Sequence, residues 1–140
     1  MLNTIIETLV YLGVGLSVMM IGYFLVDLVI PADFPAEIKN GNKAIGWVSA
    51  GIYMGLGFII RSAIITIHLS DAEELLKGVG NTAVFSAIGI VAFVLAYFIV
   101  DIVNRKFNFN KELEAGNEAA GIMVFGIFVG IAFLVSGVIQ

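Results

Sequence analysis

Two aspartates, Asp27 and Asp101, close the near-identical strings YFLVD and YFIVD, each at the end of an unbroken apolar run. Each is followed by a glutamate, Glu37 or Glu112, and then by a Gly-Asn pair ending at Asn42 or Asn117. A carboxylate is costly at the centre of a bilayer and far cheaper at its interface, and intramembrane carboxylates often mark ion pathways. In one reading the set forms a proton or cation site, with the asparagines supplying neutral oxygens and the glutamates a gate. In the other the aspartates are interfacial, solvated or paired with nearby basic residues. The residue types leave both open. For Asn42 and Asn117 a structural role is preferred, in which the side-chain oxygen caps the helix that follows and glycine eases the turn. Capping would not exclude ion binding, because an amide both donates and accepts.

The frame for these residues follows from composition. Of 140 residues, 60% are hydrophobic and 13% charged, with a mean hydropathy of +1.05. A soluble domain of this size carries about 25% charged residues, so the chain reads as a membrane protein. Four continuous apolar stretches, Thr4–Ile30, Ala44–Ile67, Thr82–Val103 and Ala119–Ile139, are each long enough for a helix to cross a hydrocarbon core, which takes roughly 20 residues. Barrel strands would be short and would alternate apolar with polar residues. The first stretch is too long for a signal peptide and lacks a basic start and a small-residue cleavage site, so it is expected to stay in the mature protein.

Basic residues set the expected orientation, since loops between spans keep their Lys and Arg on the cytoplasmic side. Lys39 and Lys43 lie between the first two spans, and Arg105, Lys106 and Lys111 between the last two. The other side offers Lys77 beside Asp71, Glu73 and Glu74. Both termini are therefore expected outside the cytoplasm. The net charge of −4, with basic residues sorted by side, gives no nucleic-acid footprint. With no cysteine there is neither a disulfide framework nor thiolate chemistry.

The polar motif is duplicated because the chain is. EIKNGNKAIGWVSAGIYMGLGFIIRSAI, from Glu37, aligns without gaps on ELEAGNEAAGIMVFGIFVGIAFLVSGVI, from Glu112. Each copy contains two spans, so both must enter the membrane in the same direction. The expected fold class is an all-α membrane protein of four transmembrane helices, built as two parallel helical hairpins related by a pseudo-two-fold axis along the membrane normal. The expected organisation is a first repeat at 1–67, a short extracytoplasmic connector at 68–81 and a second repeat at 82–140. Asp27, Glu37 and Asn42 would then face Asp101, Glu112 and Asn117 across the axis.

The D…E[IL]…GN.A pattern, the glycine-rich span after it and the duplication resemble the YjfL/YshE-type bacterial membrane proteins, a family with a duplicated membrane domain of unknown function. The resemblance covers essentially the whole chain. It implies a multi-pass protein of the bacterial inner membrane, and it supplies no activity and no catalytic residues. The second copy departs from the first by Ser136 for Arg61 and Ile122 for Trp47, so the halves are not chemically equivalent.

Other residues read more plainly. Gly51 with Gly55, and Gly126 with Gly130, make the small-xxx-small spacing that lets helix backbones approach in lipid, and internal packing is preferred over a homodimer face. Arg61 and Glu7 fall at similar depth by helical rise, which predicts an ion pair, or an Arg61 that snorkels to the interface. SDAEELLK, from Ser70, reads as a short interfacial helix in which Ser70 caps and Glu73 completes a capping box. Leu75 and Leu76 would lie on lipid, and Gly78 and Gly80 would turn the chain into the third span. His68 reads as a polar anchor, and Trp47 sits near the cytoplasmic aromatic belt.

No nucleophile, base and orienter constellation, phosphate loop, haem ligand pair or zinc spacing is present. The expectation is a non-enzyme with no cofactor and no metal. Two functions compete. The preferred one is a noncatalytic membrane adaptor or structural component whose cytoplasmic loops dock a peripheral protein. The alternative is a small oligomeric proton or cation channel using the paired carboxylates. Candidate partners are the lipid bilayer, a second copy of the chain and a peripheral cytoplasmic protein, with no nucleic acid.

Overall fold

In lipid every backbone polar group must find its partner inside the protein, which confines a continuously apolar chain to helices. The computed structural model describes residues 1–65 and 72–139, and among them the regular structure is entirely helical. The helices are α1 (Leu2–Val29), α2 (Phe34–Lys39), α3 (Lys43–Ile65), α4 (Ala72–Val103), α5 (Phe109–Glu114) and α6 (Glu118–Ile139). Four of them, α1, α3, α4 and α6, are long and apolar enough to cross a membrane. Hydroxyls within these helices turn back to the preceding turn: Thr8 donates to the Thr4 carbonyl, Ser17 to Gly13, Ser49 to Ile45 and Thr82 to Gly78. Such back-bonding satisfies the group without a partner helix.

α3 is the centre of the bundle. In its most apolar window 56% of residues are buried, against 17% for α1. It packs on α1, α4 and α6, and its interface with α6 is the most extensive in the molecule. α1 also packs on α4, and α4 on α6, whereas α1 and α6 have at most marginal contact. The shared core runs through Ile45, Val48, Ile52, Leu56 and Ile59 of α3, Phe93 of α4 and Phe128 of α6, all fully buried. Phe93 and Phe128 stack with ring centroids 4.9 Å apart.

α3 and α6 run parallel, because their contacts rise together along both helices. A methyl group at Gly121 would lie 2.4 Å from the Ala44 carbonyl oxygen, one at Gly51 2.9 Å from Phe125 Cα, and one at Gly55 3.3 Å from Ala132 Cβ. Glycines 51, 55 and 121 thus admit the neighbouring helix, in line with small-residue packing in membranes. Gly126 and Gly130, expected to do the same, face open space with nothing within 4 Å of the added carbon. The equivalent spacing in the two copies does not place the same face at the seam, because each helix's rotation is set by its own neighbours.

Three other expectations change. α4 runs unbroken through Gly78 and Gly80 instead of turning there. Helix-interior glycine costs only about 1 kcal/mol relative to alanine, less than freeing several backbone bonds. At 32 residues the helix is about 48 Å long against a hydrocarbon core of about 30 Å, so its first turns extend past the bilayer. Secondly, the two basic loops, between α1 and α3 and between α4 and α6, each contain a six-residue helix, α2 or α5. Thirdly, Glu7 and Arg61 do not pair: the ion pairs among the described residues are Lys43–Glu118 and Lys77–Glu73. Equal depth does not fix azimuth, and Arg61 is exposed on α3 while the adjacent Ile60 turns toward Gly15 of α1. Leu76 is exposed, as expected of a lipid-facing residue. His68 and Ser70, with its capping box, lie outside the described residues.

The two glycine faces give a direct test. Gly51→Ala should destabilise the detergent-solubilised protein by about 1–3 kcal/mol, the usual cost of overpacking. Its counterpart Gly126→Ala should be neutral or slightly stabilising, and denaturation curves for the two variants side by side check the contrast.

Candidate functional site

The duplicated polar residues build two copies of one joint between helices. α2 begins at Asp33, whose carboxylate accepts from the Ala36 N–H at 3.1 Å, with Pro35 in its first turn. α5 begins at Asn108, which accepts from the Lys111 N–H at 3.1 Å. Aspartate or asparagine at the cap satisfies a helix N–H that has no backbone partner. The aspartates that end the preceding spans take the next donor: Asp27 Oδ1 accepts from the Phe34 N–H at 2.8 Å, and Asp101 Oδ1 from the Phe109 N–H at 3.3 Å. Phe34 and Phe109 are thereby pinned and fully buried, each against a tyrosine of the span before it, Tyr23 and Tyr97. The Tyr97 hydroxyl also donates to Asn110.

The far end of each short helix closes in the same way. Gly41 and Gly116 have φ of +80° and +78°, a region that costs other L-residues roughly 1–2 kcal/mol. The Gly41 N–H bonds the Ile38 carbonyl and the Asn42 N–H bonds the Glu37 carbonyl, at 3.0 and 2.9 Å. In α5, Gly116 and Asn117 reach Leu113 and Glu112 at 3.1 and 2.9 Å. These paired bonds form a Schellman ending with glycine at its left-handed position. The asparagine after the glycine then opens the next helix: Asn42 Oδ1 accepts from the Ile45 N–H and Asn117 Oδ1 from the Ala119 N–H. Its amide nitrogen donates back to the glutamate of the short helix, Asn42 to Glu37 at 2.7 Å and Asn117 to Glu112 at 2.6 Å. One residue thus ends one helix, caps another and holds the glutamate between them.

The copies differ in what surrounds them. Asn42 also donates to the Leu113 carbonyl at 2.8 Å, so the start of α3 is docked against α5 of the other copy. Asn117 is exposed, and among the described residues α6 has no equivalent bond to α2. Across the seam Trp47 donates to Glu118 at 3.1 Å, and Lys43 lies 3.9 Å from the same carboxylate. An open cavity of about 390 Å³ lies between the joints, lined by Glu37, Asn40, Asn42, Lys43, Glu114 and the backbone around Gly116. Of the six residues singled out in the sequence, only Glu37 and Asn42 line it; Asp27, Asp101, Glu112 and Asn117 do not. No group of three or more acidic or histidine side chains suited to a metal occurs among the described residues.

Asp33, Asn108, Glu118 and Glu114 did not stand out in the sequence. Asp33 had a local signal, because Asp-Phe-Pro reads as a helix start, and Asn108 had a weaker one, an asparagine of the type that favours helix caps with no proline behind it. The other two act across the repeats, where spacing carries no information. Since Asn42 holds more than its own helix, Asn42→Ala should lower stability by about 1 kcal/mol more than Asn117→Ala, the net worth of one hydrogen bond beyond the shared cap. Thermal unfolding of both variants in the same detergent checks the difference.

Comparison with known proteins agrees with this architecture. Residues 1–139 match the profile of a family described as Domain of Unknown Function (DUF350). The chain is 26% identical over 134 residues to the UPF0719 transmembrane protein YshE of Bacillus subtilis (strain 168), covering 96% of this chain and 93% of that one. It is 23% identical over 132 residues to a UPF0719 transmembrane protein of Aquifex aeolicus (strain VF5), covering 94% of this chain but 48% of that longer one. No solved structure matches the chain. A match over nearly the full length, on a fold with four helices able to span a bilayer, places the chain in the DUF350 family of multi-pass transmembrane proteins.

Proposed function

We propose that the protein is a noncatalytic adaptor of the bacterial inner membrane, with its two helix joints facing the cytoplasm as a docking surface for a peripheral protein. The observation that carries this reading is how the motif's polar atoms are used. In both copies the aspartate, the glutamate and the asparagine are engaged in ending and starting helices. What remains exposed is the rim of the cavity, at Asn40, Lys43 and Glu114. The orientation rests on the basic residues, since Lys39, Lys43, Arg105, Lys106 and Lys111 all fall at the end of the bundle that carries α2 and α5.

The hairpins are read as related by a pseudo-two-fold axis along the membrane normal. That arrangement is supported by the neighbour pattern, in which α1 meets α3 as α4 meets α6, while α1 with α4 and α3 with α6 pair across the axis. It is supported also by the joints, which repeat bond for bond within each copy.

A photo-crosslinking residue placed at Glu114 or Lys43 should yield a discrete crosslinked product in cells, and one at the lipid-facing Leu134 should not. Absence of a discrete product from either rim position would remove the docking reading. The ion-pathway alternative is tested separately in proteoliposomes. There the protein and its Asp27→Asn, Asp101→Asn double variant are expected to pass protons and potassium no faster than empty vesicles. Flux that depends on the two carboxylates would establish the alternative.

A further inference from the structure

The two repeats share their caps and their buried Phe34 and Phe109, but where they meet they use opposite members of several equivalent pairs. Ala44 is fully buried at the seam, and its counterpart Ala119 is exposed. Gly121 meets the Ala44 backbone, while its counterpart Gly46 has nothing within 4 Å. Gly51 meets the Phe125 backbone, while Gly126 is open. Leu113 is fully buried and lends its carbonyl to Asn42; Ile38, its counterpart, is 44% exposed. α5 packs on α3, and α2 has no substantial contact with α6. Finally α3 packs on α4, whereas α1 and α6 have at most marginal contact. At each of these pairs the member idle in one copy is in use in the other.

A close-packed seam cannot sit halfway between two such arrangements, because packed interfaces are bistable and not continuously deformable. We propose that the duplicated bundle is a two-state latch: here Asn42 is docked on α5, and in the counterpart state Asn117 docks on the Ile38 carbonyl of α2, with Gly46 and Gly126 replacing Gly121 and Gly51 at the seam. The inference rests on the paired-hairpin arrangement and not on the docking reading. The bias toward the state described comes from the residues in which the copies differ. Trp47 donates to Glu118, whereas the counterpart contact would put Ile122 opposite Lys43 with no donor to offer. Exchange would re-line the open polar cavity between the joints, with Glu112, Asn117 and Glu118 taking the places that Glu37, Asn42 and Lys43 hold here, so a partner that reads this surface would meet it on alternate sides of the axis.

The absence of native cysteine makes thiol labelling a clean readout. Single Ala44→Cys and Ala119→Cys variants in lipid nanodiscs are labelled with a small maleimide, with and without Gly121→Ala, which clashes with the Ala44 backbone in the present state only. In the parent background Ala119→Cys labels fast and Ala44→Cys slowly. With Gly121→Ala, Ala44→Cys should label roughly tenfold faster or more and Ala119→Cys should slow by a similar factor, the reciprocal change of a shifted two-state equilibrium. Adding Gly46→Ala, which blocks the counterpart seam, should abolish the new protection at Ala119→Cys. Trp47→Ile, which removes the bias without introducing a clash, should shift both rates in the same directions as Gly121→Ala. A rise at both positions, or no change at either, overturns the latch. Neither result bears on crosslinking at Glu114, so failure of the latch and failure of the docking surface can be told apart.

Discussion

A helix that ends at the edge of a bilayer and restarts a few residues later must find partners for its free backbone groups within a very short connection. The whole architecture depends on resolving that constraint within the stretch from Asp27 to Asn42, and again from Asp101 to Asn117. Four free N–H groups at each helix start and as many free carbonyls at each helix end need partners, and the chain supplies them with short side chains and one left-handed glycine per joint. The aspartate fixes where the short helix begins, glycine where it ends, and asparagine where the next span begins. Glutamate fills a position that more often holds an apolar contact in this kind of ending, and so the joint remains polar where it faces outward.

This accounts for the duplication of the polar residues by a duplicated joint. A carboxylate near a membrane invites thoughts of ions, but its geometry here is that of a cap. The asymmetry lies instead in the surroundings, where one asparagine reaches into the opposite repeat and the other does not. α3 is enclosed as a result, with neighbours on three sides, whereas α1 presents most of its length to lipid.

Much of the fold was legible in the sequence because lipid leaves few choices. Uninterrupted apolar length was enough to mark the four helices able to cross a membrane. Asn42 and Asn117 were legible as caps because Gly-Asn before an apolar run has a local mechanism. Features decided across helices were not legible. Gly126 and Gly130 have the same spacing as Gly51 and Gly55, yet they face away from the seam, since spacing along one helix says nothing of its rotation. Glu7 and Arg61 failed as a pair for the same reason. The break expected at Gly78 and Gly80 failed differently, because an interior glycine costs a helix only about 1 kcal/mol relative to alanine, less than freeing several backbone bonds. At the site, Asp33 and Asn108 were readable in hindsight from their own neighbours, whereas Glu118 and Glu114 acquire their place only when two repeats meet.

The dominance of the α3–α6 seam has a consequence for biosynthesis. Spans leave the ribosome in chain order, so the most buried helix is inserted well before the helix that buries it. Until α6 arrives, α3 must wait in the bilayer with its glycine face covered by lipid, and the first hairpin can enter but cannot finish. Completion therefore depends on α6, the latest of the four spans to be made, and a chain released before it leaves an unsealed hairpin exposed to quality-control proteases.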